Sequence, residues 1–201
     1  MTSEGVSMPD GPLIVGFGGS TGPMSMTSLL LERCLAHAVT RGARTLVLGG
    51  DELGTLPIYG ADGEPPTPVA TALVEAVREA DCVVIATPGY HGGMSGLVKN
   101  ALDHLEGLRD DPRPYLDGRA VGVIVSAAGW QAAGTALVSV RSAIHALRGW
   151  PTPFGVTVNS VEQPINDDGS FDQRVDGALE ILAGQLVEFA GWRAAARAGV
   201  R

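Results

Sequence analysis

At 201 residues the chain has room for one sizeable hydrophobic core, and its 45% apolar content excludes a disordered polypeptide. A formal charge of −8, with no run of Lys or Arg to offset it, argues against nucleic acid or an anionic membrane surface as a partner. The two cysteines, Cys34 and Cys82, lie far apart inside apolar segments, so they read as buried free thiols of a cytoplasmic protein rather than a disulfide framework. The first dozen residues are polar and broken by Gly and Pro, with no apolar core of a signal peptide. No uncharged apolar stretch reaches the ~18 residues needed to span a bilayer. Residues 1–12 therefore read as a flexible segment ahead of one domain at 13–197.

In chain order, an apolar run at 13–17 leads through a Gly/Ser/Thr-rich turn into a helix, where Leu30, Cys34, Ala38 and Leu31, Leu35, Val39 trace stripes at i, i+4. A second run at 44–48 is followed by an irregular stretch at 49–66 and a helix marked by Val69, Leu73 and Val77. The third run, 82–86, precedes a glycine-rich loop and a helix carrying Val98, Leu102 and Leu105. The fourth, 120–126, precedes a helix with Ala133, Leu137, Val140, Ile144 and Leu147. A fifth at 153–158, an irregular stretch at 159–170 and a helix from about Asp172 to Ala196 complete the chain. Gly42, Gly107 and Gly149 follow three of the helices, where a left-handed residue is commonly glycine. Runs apolar on consecutive residues fit strands buried on both faces. Their strict alternation with helices predicts an α/β fold: a doubly wound, five-stranded parallel sheet in a three-layer sandwich.

In an open α/β sheet, ligands bind beyond the carboxyl ends of the strands, where strand order reverses. The loops after the first, third and fourth runs therefore carry the functional reading. The first is Gly16-Phe17-Gly18-Gly19-Ser20-Thr21-Gly22-Pro23-Met24-Ser25-Met26-Thr27. Its glycines free the backbone to approach a ligand, its hydroxyls offer hydrogen bonds, and the helix start behind it favours an anion. It is a phosphate cradle without a cation. No lysine stands where a Walker A loop needs one, and Thr21 occupies the third-glycine position of a dinucleotide fingerprint.

The second loop is Thr87-Pro88-Gly89-Tyr90-His91-Gly92-Gly93-Met94-Ser95. Pro88 fixes the chain as it leaves the strand, and the glycines admit a flat ligand on which Tyr90 or His91 stacks. A plain solvent-exposed loop histidine is the other reading of His91. The third loop, Ser126-Ala127-Ala128-Gly129-Trp130, closes the site from the fourth strand. Trp130 touches the ligand or a neighbouring subunit, with plain packing as the alternative. The four histidines show no metal-ligand spacing, and no G-x-S-x-G elbow points to a hydrolase.

From Pro88 onward the chain resembles the second signature of the NAD(P)H-dependent FMN reductase family, roughly P-x-Y-x-x-x-x-x-G-x-L-K-N-x-x-D. Pro88, Tyr90, Gly96, Lys99, Asn100 and Asp103 fit it, with Val98 at the leucine. The first loop resembles the same family's G-S-x-R-x-x-S-x-N. Gly19, Ser20 and Ser25 match, Thr27 replaces the asparagine and Gly22 replaces the arginine. The resemblance extends over essentially the whole chain in element order.

That resemblance implies a flavodoxin-like fold with strand order 2-1-3-4-5 and FMN as cofactor. Gly19, Ser20, Ser25, Met26 (through its backbone) and Thr27 would hold the phosphate. Pro88, Gly89, Tyr90, His91 and Gly92 would line the ring, joined by Ser126, Gly129 and Trp130. No catalytic side chain is expected, because flavin N5 carries the chemistry. The resemblance also implies NAD(P)H as co-substrate and free flavin, a quinone, an azo compound or a similar acceptor. A flavin-dependent monooxygenase receiving reduced flavin is a further implied partner, and a homodimer or homotetramer the implied assembly. The missing arginine bears on FMN retention and on NADPH over NADH. Two other classes remain open: a non-enzymatic flavodoxin-type electron carrier, and a relative recruited to a biosynthetic or regulatory role.

Overall fold

A computed structural model describes residues 11–22, 25–60 and 65–199. The segment read as flexible thus lies outside the described residues, apart from Gly11 and Pro12. The central strands β1 (Leu13–Gly18), β3 (Cys82–Tyr90) and β5 (Ala120–Ala127) are buried along nearly their whole length. β2 (Arg44–Leu48) forms one edge and is mostly exposed. The order β2-β1-β3-β5 is parallel throughout.

Side chains alternate across this sheet into two cores. Val15, Phe17, Val83, Ile85 and Val123 face α3 (Pro68–Glu79), α4 (Gly96–His104) and α5 (Trp130–Ala146). Ile14, Cys82, Val84 and Ile124 face α1 (Met26–Thr40) and α6 (Gln173–Gly199). Burial pushes both cysteine thiols up to about 12, which keeps them as inert core atoms. Asp176 on α6 joins the two helices of that layer, accepting from Arg33 at 2.6 Å and contacting His37 at 2.8 Å. The Arg33 hydrogen bond holds its carboxyl well below the usual carboxylate range.

The sheet has seven strands where the sequence predicts five. One extra strand, β4 (Gly93–Met94), folds back antiparallel on β3. The other arises because the fifth strand is interrupted. β6 (Trp150–Pro151) and β7 (Val156–Asn159) both pair with β5, Val121 against Pro151 and Ile124 against Val156. Pro151 and Pro153 have no N–H to give the ladder. Thr152 Oγ1 instead donates to Phe154 O at 2.7 Å and bends the chain between the two pieces. Of the three glycines expected to end helices left-handed, Gly42 does so (φ 85°). After α5 that conformation falls on Arg148 (φ 63°), and Gly149 is small because a Cβ there would stand 2.7 Å from Ile144 Cγ2.

A buried cation holds the amino end of β5. Arg119 is 1% exposed, and its guanidinium donates to the carbonyls of Arg78, Arg113, Tyr115 and Asp117. Burial lowers its pKa to about 10, still far above neutrality, so it stays charged among carbonyl dipoles.

Candidate functional site

Strand register brings the three loops to one edge of the sheet. Gly18 lies beside Ala86, Pro88 beside Ser126, and Ala127 beside Asn159. At the β1 end, Gly18 (φ 132°) presses against β3 so closely that a Cβ would fall inside the carbonyl of Ala86. Gly19 (φ 99°) donates its N–H to that same carbonyl at 3.0 Å. These two glycines turn the chain out of the sheet where no other residue fits.

Ser25 then caps α1: its Oγ accepts from Ser28 N at 3.3 Å and its carbonyl accepts from Leu29 N at 3.0 Å. Met26 and Thr27 are the first two residues of the helix, whose amides find no intrahelical acceptor. Behind the loop lies a cleft of 490 Å³. Ser20, Ser25, Ser28 and Glu32 line it together with Asp51 and Glu52 of the short helix α2 (Gly50–Leu53). Among the described residues no Lys or Arg lines it.

The loop expected after the third strand is largely strand. β3 continues through Pro88, Gly89 and Tyr90, and a two-residue turn at His91 (φ 51°) and Gly92 (φ 82°) leads into β4. Gly89 pairs with Met94 and Tyr90 with Gly93. Positive φ at both central residues is the type I′ geometry that matches strand twist. Thr87, wholly buried, ties the hairpin to the next helix: its Oγ1 accepts from Ser95 N at 3.0 Å and donates to Pro88 O at 2.9 Å. Ser95 in turn caps α4, accepting from Val98 N. Tyr90 and His91 are left exposed at the tip.

Trp130 opens α5 after Gly129 (φ 136°), while Ser126 is buried in β5. The indole is 54% exposed, and its Nε1 donates to Glu162 Oε1 at 2.6 Å. The same oxygen accepts from Asn159 Nδ2 at 2.9 Å. Sequence reasoning did not single out Asn159 or Glu162. Their signal was that they follow the last strand on the same carboxyl edge.

The Lys-Asn-x-x-Asp half of the second motif does a different job. Asn100 grips the backbone of the 49–66 stretch from both sides, donating from Nδ2 to Pro57 O and accepting at Oδ1 from Tyr59 N, each at 2.9 Å. His104 Nε2 donates to the same Pro57 carbonyl at 3.0 Å, and its ring meets Tyr59 edge-on. Lys99 and Asp103 pair with each other on the surface at 2.6 Å.

The NADPH-dependent FMN reductase family matches residues 12–163. The chain belongs to that family. An FMN-dependent NADPH-azoreductase of Staphylococcus aureus is 26% identical over 181 residues, covering 85% of this chain and 91% of the relative. Among solved structures, an NADH:FMN oxidoreductase in its apo form superposes with a TM-score of 0.67 at 22% identity, covering 87% of this chain and 90% of the other. A Streptococcus pneumoniae flavodoxin superposes at 0.58 with 17% identity, covering 88% and 97%. At those identities the two structures establish the flavodoxin-like fold, while the family match establishes the enzyme class.

Proposed function

We propose that this FMN reductase holds its flavin across the carboxyl edge just described, phosphate at the α1 start and ring at the β3–β4 hairpin. The observation that carries the reading is the register that sets Gly18 beside Ala86 and so places the cation-free cradle next to the Pro88–Tyr90 strand end. The residues present fit the group. Backbone crowding at Gly18 and Gly19 turns the loop outward, and the amides of Met26 and Thr27 have no intrahelical acceptor at a helix start, where an anion is favoured. Ser25 Oγ, already accepting from Ser28 N, keeps its own hydrogen to donate, and Ser20 adds a second hydroxyl.

At the ring end, His91 and Gly92 sit between the paired residues of the hairpin, so their amides are available to a flat heterocycle's polar edge. Tyr90 offers an exposed aromatic face for stacking, worth on the order of 1 kcal/mol beyond its buried area. Glu162 and Asn159 fix the orientation of Trp130 at the third corner. These residues would hold FMN, which would supply the hydride chemistry between NAD(P)H and an acceptor. The protein's part is to bind, orient and shield.

The finer assignments rest on this placement. Azo compounds, quinones and free flavin are the acceptor class, and delivery of reduced flavin to a monooxygenase is one use of it. The exposed Ile58 and Tyr59, in the stretch that Asn100 grips at Pro57 and Tyr59, support assembly into a homodimer or homotetramer. The two buried free thiols support a cytoplasmic location.

The test is to follow NADH and NADPH oxidation by the purified protein with FMN and an azo, quinone or free-flavin acceptor. Steady oxidation that depends on protein and flavin is expected. An electron carrier would show almost none, and that result would contradict the proposal.

A further inference from the structure

We propose that Glu162 is a positioning residue for the flavin site: it holds the Trp130 indole at the carboxyl edge and keeps it from collapsing into the cleft alongside. The inference rests on the flavin reading of that edge and adds the residue that governs its third corner.

Nothing local fixes the indole. Trp130 is the first residue of α5, and Gly129 ahead of it (φ 136°) caps the helix with no side-chain hydrogen bond. Trp130 is 54% exposed, so packing alone does not set the ring's orientation. One hydrogen bond does, from Nε1 to Glu162 Oε1 at 2.6 Å, and an ionised acceptor makes it a strong one.

The carboxylate is itself held from the sheet. Asn159 ends β7 and pairs with Ala127 of β5. Its Nδ2 donates to the same Glu162 oxygen at 2.9 Å, and its Oδ1 accepts from Val161 N at 3.2 Å. The restraint on the indole thus runs from the central sheet through Asn159 and Glu162, not through the backbone of α5.

The indole also has an alternative place to lie. It borders a cleft of about 200 Å³ between β7 and the start of α6, where Val156, Val158, Pro164, Val175 and Ala178 are further walls. A cavity of about 150 Å³ takes benzene, so this cleft has room for most of an indole. Burying an exposed aromatic ring against valines is favourable, and the hydrophobic effect draws the ring inward. The Glu162 bond opposes that draw, and losing it releases the ring.

The ring end of the flavin site shares the helix that Trp130 opens. A Cβ on Gly89 would stand 3.4 Å from Ala132 O, and one on Gly92 would stand 3.4 Å from Thr135 Cγ2. The β3–β4 hairpin and Trp130 therefore both lie at the first turns of α5. An indole that leaves its place removes one wall from the edge where the second substrate must be held in reactive geometry.

The experiment uses Trp150→Phe and Trp192→Phe together, both at exposed positions outside the site, so that Trp130 is the one tryptophan left. In that parent, without flavin, Glu162→Ala is expected to shift Trp130 emission to the blue and to lower its quenching by acrylamide. With FMN and NADH supplied, the KM for a quinone acceptor should rise roughly tenfold, without a lower denaturant midpoint. Glu162→Gln keeps an oxygen for the indole N–H and should restore both readouts. Asn159→Ala, which loosens the carboxylate without removing it, should give the same changes at smaller size. Trp130→Phe should raise the quinone KM as Glu162→Ala does, and the double substitution should add nothing further. Unchanged Trp130 emission and quinone KM in Glu162→Ala, while FMN still quenches Trp130 in the parent, would overturn the positioning role and leave the flavin site standing. Additive losses in the double variant would do the same. Parent Trp130 emission that saturating FMN leaves untouched would overturn the flavin placement at this corner and the proposal with it.

Discussion

The two ends of the carboxyl edge hold their shape by different means. The β3–β4 hairpin is tied from within: a paired ladder, a type I′ turn, and Thr87 bridging to the cap of α4. The loop after β1 is held by packing and a cap: Gly18 and Gly19 press on Ala86, Ser20 and Thr21 lie against Gly50 and Gly54, and Ser25 caps α1. Thr21 and Gly22 are nonetheless exposed. The ring end is thus preorganised by hydrogen bonds, while the phosphate end is held by packing contacts and carries no charged side chain from Gly19 to Thr27. Preorganisation lowers the ordering cost of binding, so the hairpin should dominate flavin affinity.

Substitutions separate the two ends by size of effect. Gly18→Ala attacks the one point where both meet. Its methyl collides with Ala86 O in a backbone conformation that L-residues avoid, and a loss of about 3 kcal/mol or more in denaturant unfolding is expected. Thr87→Val keeps the shape but strands the buried Ser95 N–H, costing about 1–3 kcal/mol by the same measurement and weakening flavin binding with it. Ser25→Ala removes a helix cap and should cost about 1 kcal/mol, with a smaller effect on riboflavin than Thr87→Val has. Tyr90→Ala should leave stability within about 0.5 kcal/mol, since the ring is 57% exposed, yet lower kcat/KM for NAD(P)H oxidation. If Thr87→Val leaves riboflavin affinity unchanged while Ser25→Ala abolishes it, the contrast between the two ends is wrong.

Much of this was legible in the sequence because burial on both faces of a parallel sheet leaves apolar residues in unbroken runs. β1, β2 and the start of β3 fall at or within a residue of their expected limits, as does the buried stripe of α6. The hairpin was hidden because His91-Gly92 is not the Asn-Gly pair that announces a type I′ turn, and Pro88 and Gly89 read as loop residues. The split last strand was hidden because the prolines that break it sit inside an apolar run. Arg119 could not be seen at all. A charged side chain reads as surface, and only the converging carbonyls of Arg78, Arg113, Tyr115 and Asp117 make its burial tolerable. At the site, motif residues were recognisable but their tasks were not: Asn100 clamps Pro57 and Tyr59, more than 40 positions away in sequence. The bridge from Trp130 to Glu162 spans 32 positions and left no local trace.

Amide hydrogen exchange with and without saturating flavin tests the central placement most directly. Protection is predicted at the start of α1, at His91 and Gly92, and around Gly129 and Trp130, strongest in the hairpin and weakest in the first loop. Protection confined to other parts of the chain, or absent from the hairpin while flavin is bound, would contradict the account.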